Sequence, residues 1–134
     1  MRAVVDTNVV AYYLLKTDPF YREAREFWRA VDEPIAPSFW AAEFVNAVWA
    51  VTRSGAINPA EALERVRLAS LLGIESIEVT SLWAGALSCA LDADHPAYDA
   101  LFVELARREQ VALVTFDKKL LARFPDVARR PRSL

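Results

Sequence analysis

Short apolar runs alternate with helix-periodic stretches along the whole chain, and that alternation restricts the fold more than any other feature. Arg2–Val5, Pro34–Pro37, Ile77–Thr80 and Val111–Thr115 read as strands. Helices are expected at Thr7–Leu15, from Pro19 to about Val31, at Phe39–Arg53, from Pro59 to Gly73, at Ser81–Leu91, from Pro96 to Glu109, and over 118–124. Local chemistry marks several boundaries. Asp18-Pro19 and Asn58-Pro59 place an N-cap before a first-turn proline, Ser38 precedes the Phe39 helix as a cap, and Gly55 and Gly73 stand at helix ends. One more short strand is expected near Val127-Ala128. Strands that alternate with helices imply a parallel sheet covered on both faces. With 134 residues, no internal repeat and no linker, the expectation is one three-layer α/β domain spanning residues 1–134.

Within that frame, four acids sit in separate apolar contexts: Asp6 after Ala3-Val4-Val5, Glu43 within Trp40–Asn46, Asp99 within Tyr98–Ala100, and Asp117 after Leu113–Phe116. A carboxylate in apolar surroundings is costly to bury without a partner. Gathered together, the four would repel one another by roughly 1–4 kcal/mol per close pair, unless a cation joined them. Asp6 and Asp117 follow apolar strands, the place where open α/β sheets bind ligands. They converge only if the first and fourth strands are neighbours. Glu43 is the only charged residue between Ala36 and Thr52, and Phe39, Trp40, Asn46 and Ala47 offer it no cation. Asp99 shares a helical stripe with Phe102, Val103 and Ala106. Structural roles are open to the same residues. Asp6 and Asp117 suit helix N-caps, and Asp99 suits a first helical turn. A capping aspartate still keeps one oxygen for a metal.

Composition narrows the chemistry. Cys89 is the only cysteine and reads as a buried small hydrophobe, so a cysteine cluster or intramolecular disulfide is excluded. His95 is the only histidine, which excludes a multi-His zinc site; before Pro96 it reads as a cap or loop residue. A metal would therefore be held by oxygen, favouring Mg²⁺ or Mn²⁺. Asp92 and Asp94 read as loop acids, with Asp94 near enough to Asp99 to assist it. Trp28, Trp40, Trp49 and Trp83 read as core or interface. The longest apolar stretch, Phe39–Val51, is broken by Glu43 and Asn46 and is too short for a membrane span. Asp6 interrupts the apolar start, and no cleavage site follows, so a cytoplasmic protein is expected. The formal net charge is −2. With the four acids neutralised, the remaining Arg and Lys residues, the Arg129-Arg130-Pro131-Arg132 tail among them, allow a polyanionic partner.

The motifs Val5-Asp6-Thr7-Asn8, Glu43-Phe44-Val45-Asn46, Tyr98-Asp99-Ala100-Leu101 and Val114-Thr115-Phe116-Asp117, in this order and over the whole chain, resemble the PIN domain. More narrowly, they resemble the VapC-type ribonuclease toxins of bacterial toxin–antitoxin pairs. The resemblance implies a parallel five-stranded sheet of order 3-2-1-4-5, with the first and fourth strands adjacent. It also implies that Asp6, Glu43, Asp99 and Asp117 form a catalytic, metal-binding cluster, with Asn8 and Thr115 as polar auxiliaries. The implied activity is Mg²⁺- or Mn²⁺-dependent endoribonuclease cleavage leaving a 5′ phosphate and a 3′ hydroxyl, with Asp99 or Asp117 orienting the attacking water. The implied partners are an RNA substrate, a small antitoxin in the active-site groove and a second copy in a homodimer. Arg53, Arg65, Arg67, Lys118 and Lys119 are the candidate contacts to RNA. Two other readings compete. An aspartyl-phosphate mechanism wants a second Asp where Asn8 stands and a Lys where Thr115 and Phe116 stand. A non-catalytic RNA-binding or protein-interaction module on the same fold would tolerate Asp6→Asn.

Overall fold

β1 (Arg2–Val5) is fully buried from Ala3 to Val5, and the computed structural model, which describes residues 1–134, sets it at the centre of a five-stranded sheet. β2 (Glu33–Pro37) and β3 (Glu75–Ile77) lie to one side, and β4 (Leu113–Val114) and β5 (Ala128–Arg129) to the other. The order is β3-β2-β1-β4-β5, with every pair parallel. It matches the order implied by the resemblance. Val4 faces Leu113 and Val5 faces Val114 across the β1–β4 ladder. One residue further on, Asp6 and Thr115 therefore leave the sheet side by side. The Asp6 N–H donates to the Val114 carbonyl at 3.0 Å, which fixes that register.

Seven helices fill the crossovers: α1 (Thr7–Leu14), α2 (Tyr21–Ala30), α3 (Trp40–Arg53), α4 (Pro59–Ser70), α5 (Trp83–Ala93), α6 (Ala97–Glu109) and α7 (Lys118–Arg123). Right-handed crossovers put α1–α4 on one face of the sheet and α5–α7 on the other. Accordingly α1 packs on α2 and α3, α5 packs on α6, and α6 lies against β1, β2 and β4. Ala100, Leu101, Phe102, Val103, Leu105 and Ala106 are all buried on α6, so this helix carries Asp99 on a rigid support. No helix is long and apolar enough to cross a membrane.

Several boundaries differ from the sequence-based expectation. The helix expected from Pro19 starts at Tyr21, because the Thr17 carbonyl accepts the N–H groups of Phe20 and Tyr21 and closes a turn first. Ser38 does not cap α3. It stands in the turn just after β2, where its N–H donates to the Ile77 carbonyl of β3 at 2.7 Å. The strand expected at Ile77–Thr80 lies at Glu75–Ile77, in register with Ile35–Pro37, and Val79–Ser81 coils into a 3-10 turn. Asn58 and Glu61 form the reciprocal capping box their spacing suggests. Trp40 and Trp28 pack against the core and donate to Ser76 Oγ and the Val9 carbonyl. Trp49 and Trp83 are surface residues, 56% and 60% exposed. Cys89 is buried, as expected.

Candidate active site

Asp6 sits where β1 ends and α1 begins, at the N-cap position, yet its side chain makes no capping bond. The Asp6 carboxylate turns instead towards β4. Its Oδ2 accepts from Thr115 Oγ1 at 2.7 Å and from Asn8 Nδ2 at 3.3 Å. Both donors are themselves held. Asn8 Oδ1 accepts the Phe116 N–H at 3.2 Å, and the fully buried Thr115 accepts the Asp117 N–H at 2.9 Å. Asn8 and Thr115 thus tie the ends of β1 and β4 together through one carboxylate oxygen. Burial pushes the Asp6 carboxyl up to about 7; the Thr115 hydrogen bond opposes this, and the charges of Asp99 and Glu43 add to it.

Glu43 stands in the first turn of α3. Its Oε1 accepts from Thr7 Oγ1 at 2.7 Å. Partial burial raises its pKa above the ordinary value against that hydrogen bond, and the Asp99 charge raises it further. Asp99 occupies the first turn of α6, where its Oδ2 meets His95 Nε2 at 2.8 Å. Asp117 is a true N-cap: its Oδ1 accepts from the Lys119 and Leu120 N–H groups at 2.8 and 3.2 Å, while Oδ2 has no protein partner.

The four acids therefore form two overlapping groups. The charges of Asp99 and Glu43 act on Asp6, and that of Asp99 acts on Glu43. Asp99 and Asp117 face a shared open cleft of about 460 Å³, lined also by Asp94, His95, Lys119 and Arg123. Asp99 belongs to both. No three of these side chains stand close enough to make a closed coordination shell. None of the four acids pairs with Lys or Arg. The result is an oxygen-only set of donors without a direct Lys or Arg ion pair.

Sequence reading gave Thr7 and His95 no part in the acidic site, where each bonds one of the acids. Thr7 follows Asp6 and carries no motif of its own. His95 lies in the turn between α5 and α6, as read, but it is buried there and hydrogen-bonded to Asp99; the only signal for that contact was the four-residue spacing to Asp99. Asp92 lies in the last turn of α5 rather than in a loop. Among the candidate RNA contacts, exposed Lys118 and Lys119 open α7 beside Asp117, and Lys119 borders the cleft. Arg53, Arg65 and Arg67 lie on α3 and α4 and do not line it. Arg53 stacks over Trp49, and Arg67 is paired with Glu64. Arg130, in the basic tail, is bonded to Glu23.

The PIN domain family model matches residues 3–128, so the chain belongs to the PIN domain family. No curated protein matches its sequence. Similar folds occur in a toxin–antitoxin complex from Klebsiella pneumoniae (TM-score 0.69, 18% identity, 96% of this chain and 97% of that one). They occur also in VapC20 of Mycobacterium tuberculosis, a toxin that cleaves the sarcin–ricin loop (TM-score 0.70, 16% identity, 90% and 93% covered). A third is VapBC2 of Rickettsia felis, solved bound to a DNA fragment of its promoter (TM-score 0.65, 19% identity, 97% and 98% covered).

Proposed function

We propose that this PIN domain is a metal-dependent endoribonuclease, the toxin of a type II toxin–antitoxin pair. The observation that carries this reading is the group Asp6, Glu43 and Asp99 beyond the carboxyl ends of the central strands, in which the Asp99 charge raises the pKa of both Asp6 and Glu43 and no acid has a Lys or Arg ion-pair partner. Carboxylate oxygens without such a partner suit a hard divalent cation, Mg²⁺ or Mn²⁺. Asp6, Glu43 and Asp99, with the free oxygen of Asp117, would hold it. When bound, such a cation stabilises charge on phosphoryl oxygens and lowers the pKa of water.

The chain's own residues supply orientation and substrate binding. Thr115 and Asn8 aim Asp6, and Thr7 aims Glu43. Lys119 and Arg123 offer cationic groups to an RNA backbone crossing the cleft. Lys118 stands beside them, and Arg53, Arg65 and Arg67 would serve only an RNA long enough to reach α3 and α4. The toxin–antitoxin complexes among the similar folds support a small protein antitoxin as partner. A homodimer, on family resemblance, and a cytoplasmic location, on the sequence, complete the proposal.

The test is incubation of antitoxin-free protein with total bacterial RNA and Mg²⁺ or Mn²⁺, beside EDTA and Asp6→Asn controls, followed by sequencing of new RNA ends. Discrete metal-dependent cuts, lost in Asp6→Asn, are expected. The absence of a closed coordination shell favours a second reading, a non-catalytic binding module. Folded protein that binds RNA but cuts none with either metal would select it.

A further inference from the structure

Asp99 is the acid shared by both groups, and its side chain is 35% exposed. Left to itself, such a carboxylate samples several rotamers. We infer that His95 is a positioning residue that holds Asp99 in the orientation in which it receives the divalent cation, an inference that rests on the metal-dependent reading above. The imidazole side chain is only 4% exposed, and its Nε2 lies 2.8 Å from Asp99 Oδ2. Since a carboxylate oxygen accepts, the ring N–H donates. Oδ1 has no protein hydrogen-bond partner.

The histidine is rigidly mounted. Its backbone N–H donates to the Ala90 carbonyl at 3.0 Å. Phe124 meets the ring edge-on, with centroids 5.4 Å apart. Arg123 Nη1 donates to the carbonyls of Ala93 and Asp94 at 2.5 and 3.3 Å, clamping the turn that carries the histidine. α7, which Asp117 caps, thus fixes the turn that aims Asp99. A residue needed only to fill space beside Phe124 would be apolar, because a buried polar ring is costly unless its polar atoms are bonded. Groups that orient ligating residues typically change metal affinity by about 10–100-fold when removed.

The test compares His95→Gln, which keeps a side-chain donor, with His95→Met, which has similar bulk and none. Mn²⁺ affinity, read from the free-Mn²⁺ electron paramagnetic resonance signal, should fall about 10–100-fold in His95→Met and largely recover in His95→Gln. In an Asp99→Asn background, His95→Met should produce no further loss. His95 is the only histidine, so the wild-type protein offers a readout that needs no folded His95 variant. Mg²⁺ should shift its single pair of imidazole ¹⁵N resonances in wild type and leave them unmoved in Asp99→Asn. Equal Mn²⁺ affinity in wild type and His95→Met, an equal loss in both His95 variants, or ¹⁵N resonances unmoved by Mg²⁺ would overturn the inference alone. Wild-type protein that binds no Mn²⁺ would overturn the proposed function and this inference with it.

Discussion

Folding carries the Asp6 carboxyl from its ordinary value of 3.8 to about 7, so the folded, metal-free protein binds a proton there that the unfolded chain has released. Stability contributed by this group is fully present below pH 3.8 and is lost as pH rises through about 7. The loss amounts to up to about 4 kcal/mol, at 1.36 kcal/mol per pH unit of displacement. Asp6→Asn keeps an acceptor for Thr115 and removes the charge. In EDTA, its melting temperature should exceed that of wild type at pH 8 and converge with it near pH 4, while RNA cleavage is lost. A difference that does not change with pH would show that burial does not strain this carboxylate. Thr115 supports the same residue. Thr115→Val removes a donor to Asp6 Oδ2 and the acceptor of the Asp117 N–H in one change. It should cost about 1–3 kcal/mol, read from urea unfolding, whereas Thr115→Ser should restore most of it.

The short helix α7 places two demands on Asp117, and they separate by substitution. As N-cap, Asp117 satisfies the Lys119 and Leu120 N–H groups; Asp117→Ala should cost about 1 kcal/mol. Asp117→Asn preserves the cap and should melt close to wild type. The charge facing the cleft is gone, and cleavage should fall on the order of 10²-fold. Equal activity in Asp117→Asn and wild type would leave the residue with the cap alone. Capping also governs how far these elements were legible in sequence. The Asn58-Pro59-Ala60-Glu61 start was readable because its capping box closes within four residues. Asp18-Pro19 and Ser38 carry similar signals but were overridden, one by the Thr17 turn and the other by its N–H bond to β3. The strand placed at Ile77–Thr80 slipped because an edge strand only three residues long leaves little periodicity to read. Asp6, Glu43, Asp99 and Asp117 were visible because each breaks an apolar context. Thr7 and His95 were not, because their partners lie on other elements or outside a helical repeat.

At the scale of the molecule, alternation of strands and helices gives a parallel sheet but leaves strand order open, so the meeting of β1 with β4 followed only from the family resemblance. Order alone does not hold the outer strand β5 in place; the segment after it is fastened to the opposite face. Glu23 on α2, only 12% exposed, accepts from Arg130 Nε with both oxygens at 3.1 Å and from the Arg132 N–H at 3.2 Å. The Arg130 guanidinium also lies over the Phe116 ring, one residue before Asp117. The basic tail is therefore partly a structural clasp, which the density of arginine in sequence could not distinguish from an RNA contact. Glu23→Ala should destabilise the protein by about 1.5–3 kcal/mol, the usual range for a hydrogen bond to a charged group, and lower its melting temperature by several degrees. Arg130→Ala should do much the same. The double variant should lose less than the sum of the two, since each single change removes the same bond. Neither residue lines the Asp99–Asp117 cleft, so RNA affinity at temperatures well below melting should hold. Arg130→Ala that weakened RNA binding at unchanged stability would return the tail to the substrate and leave β5 held by β4 and α7.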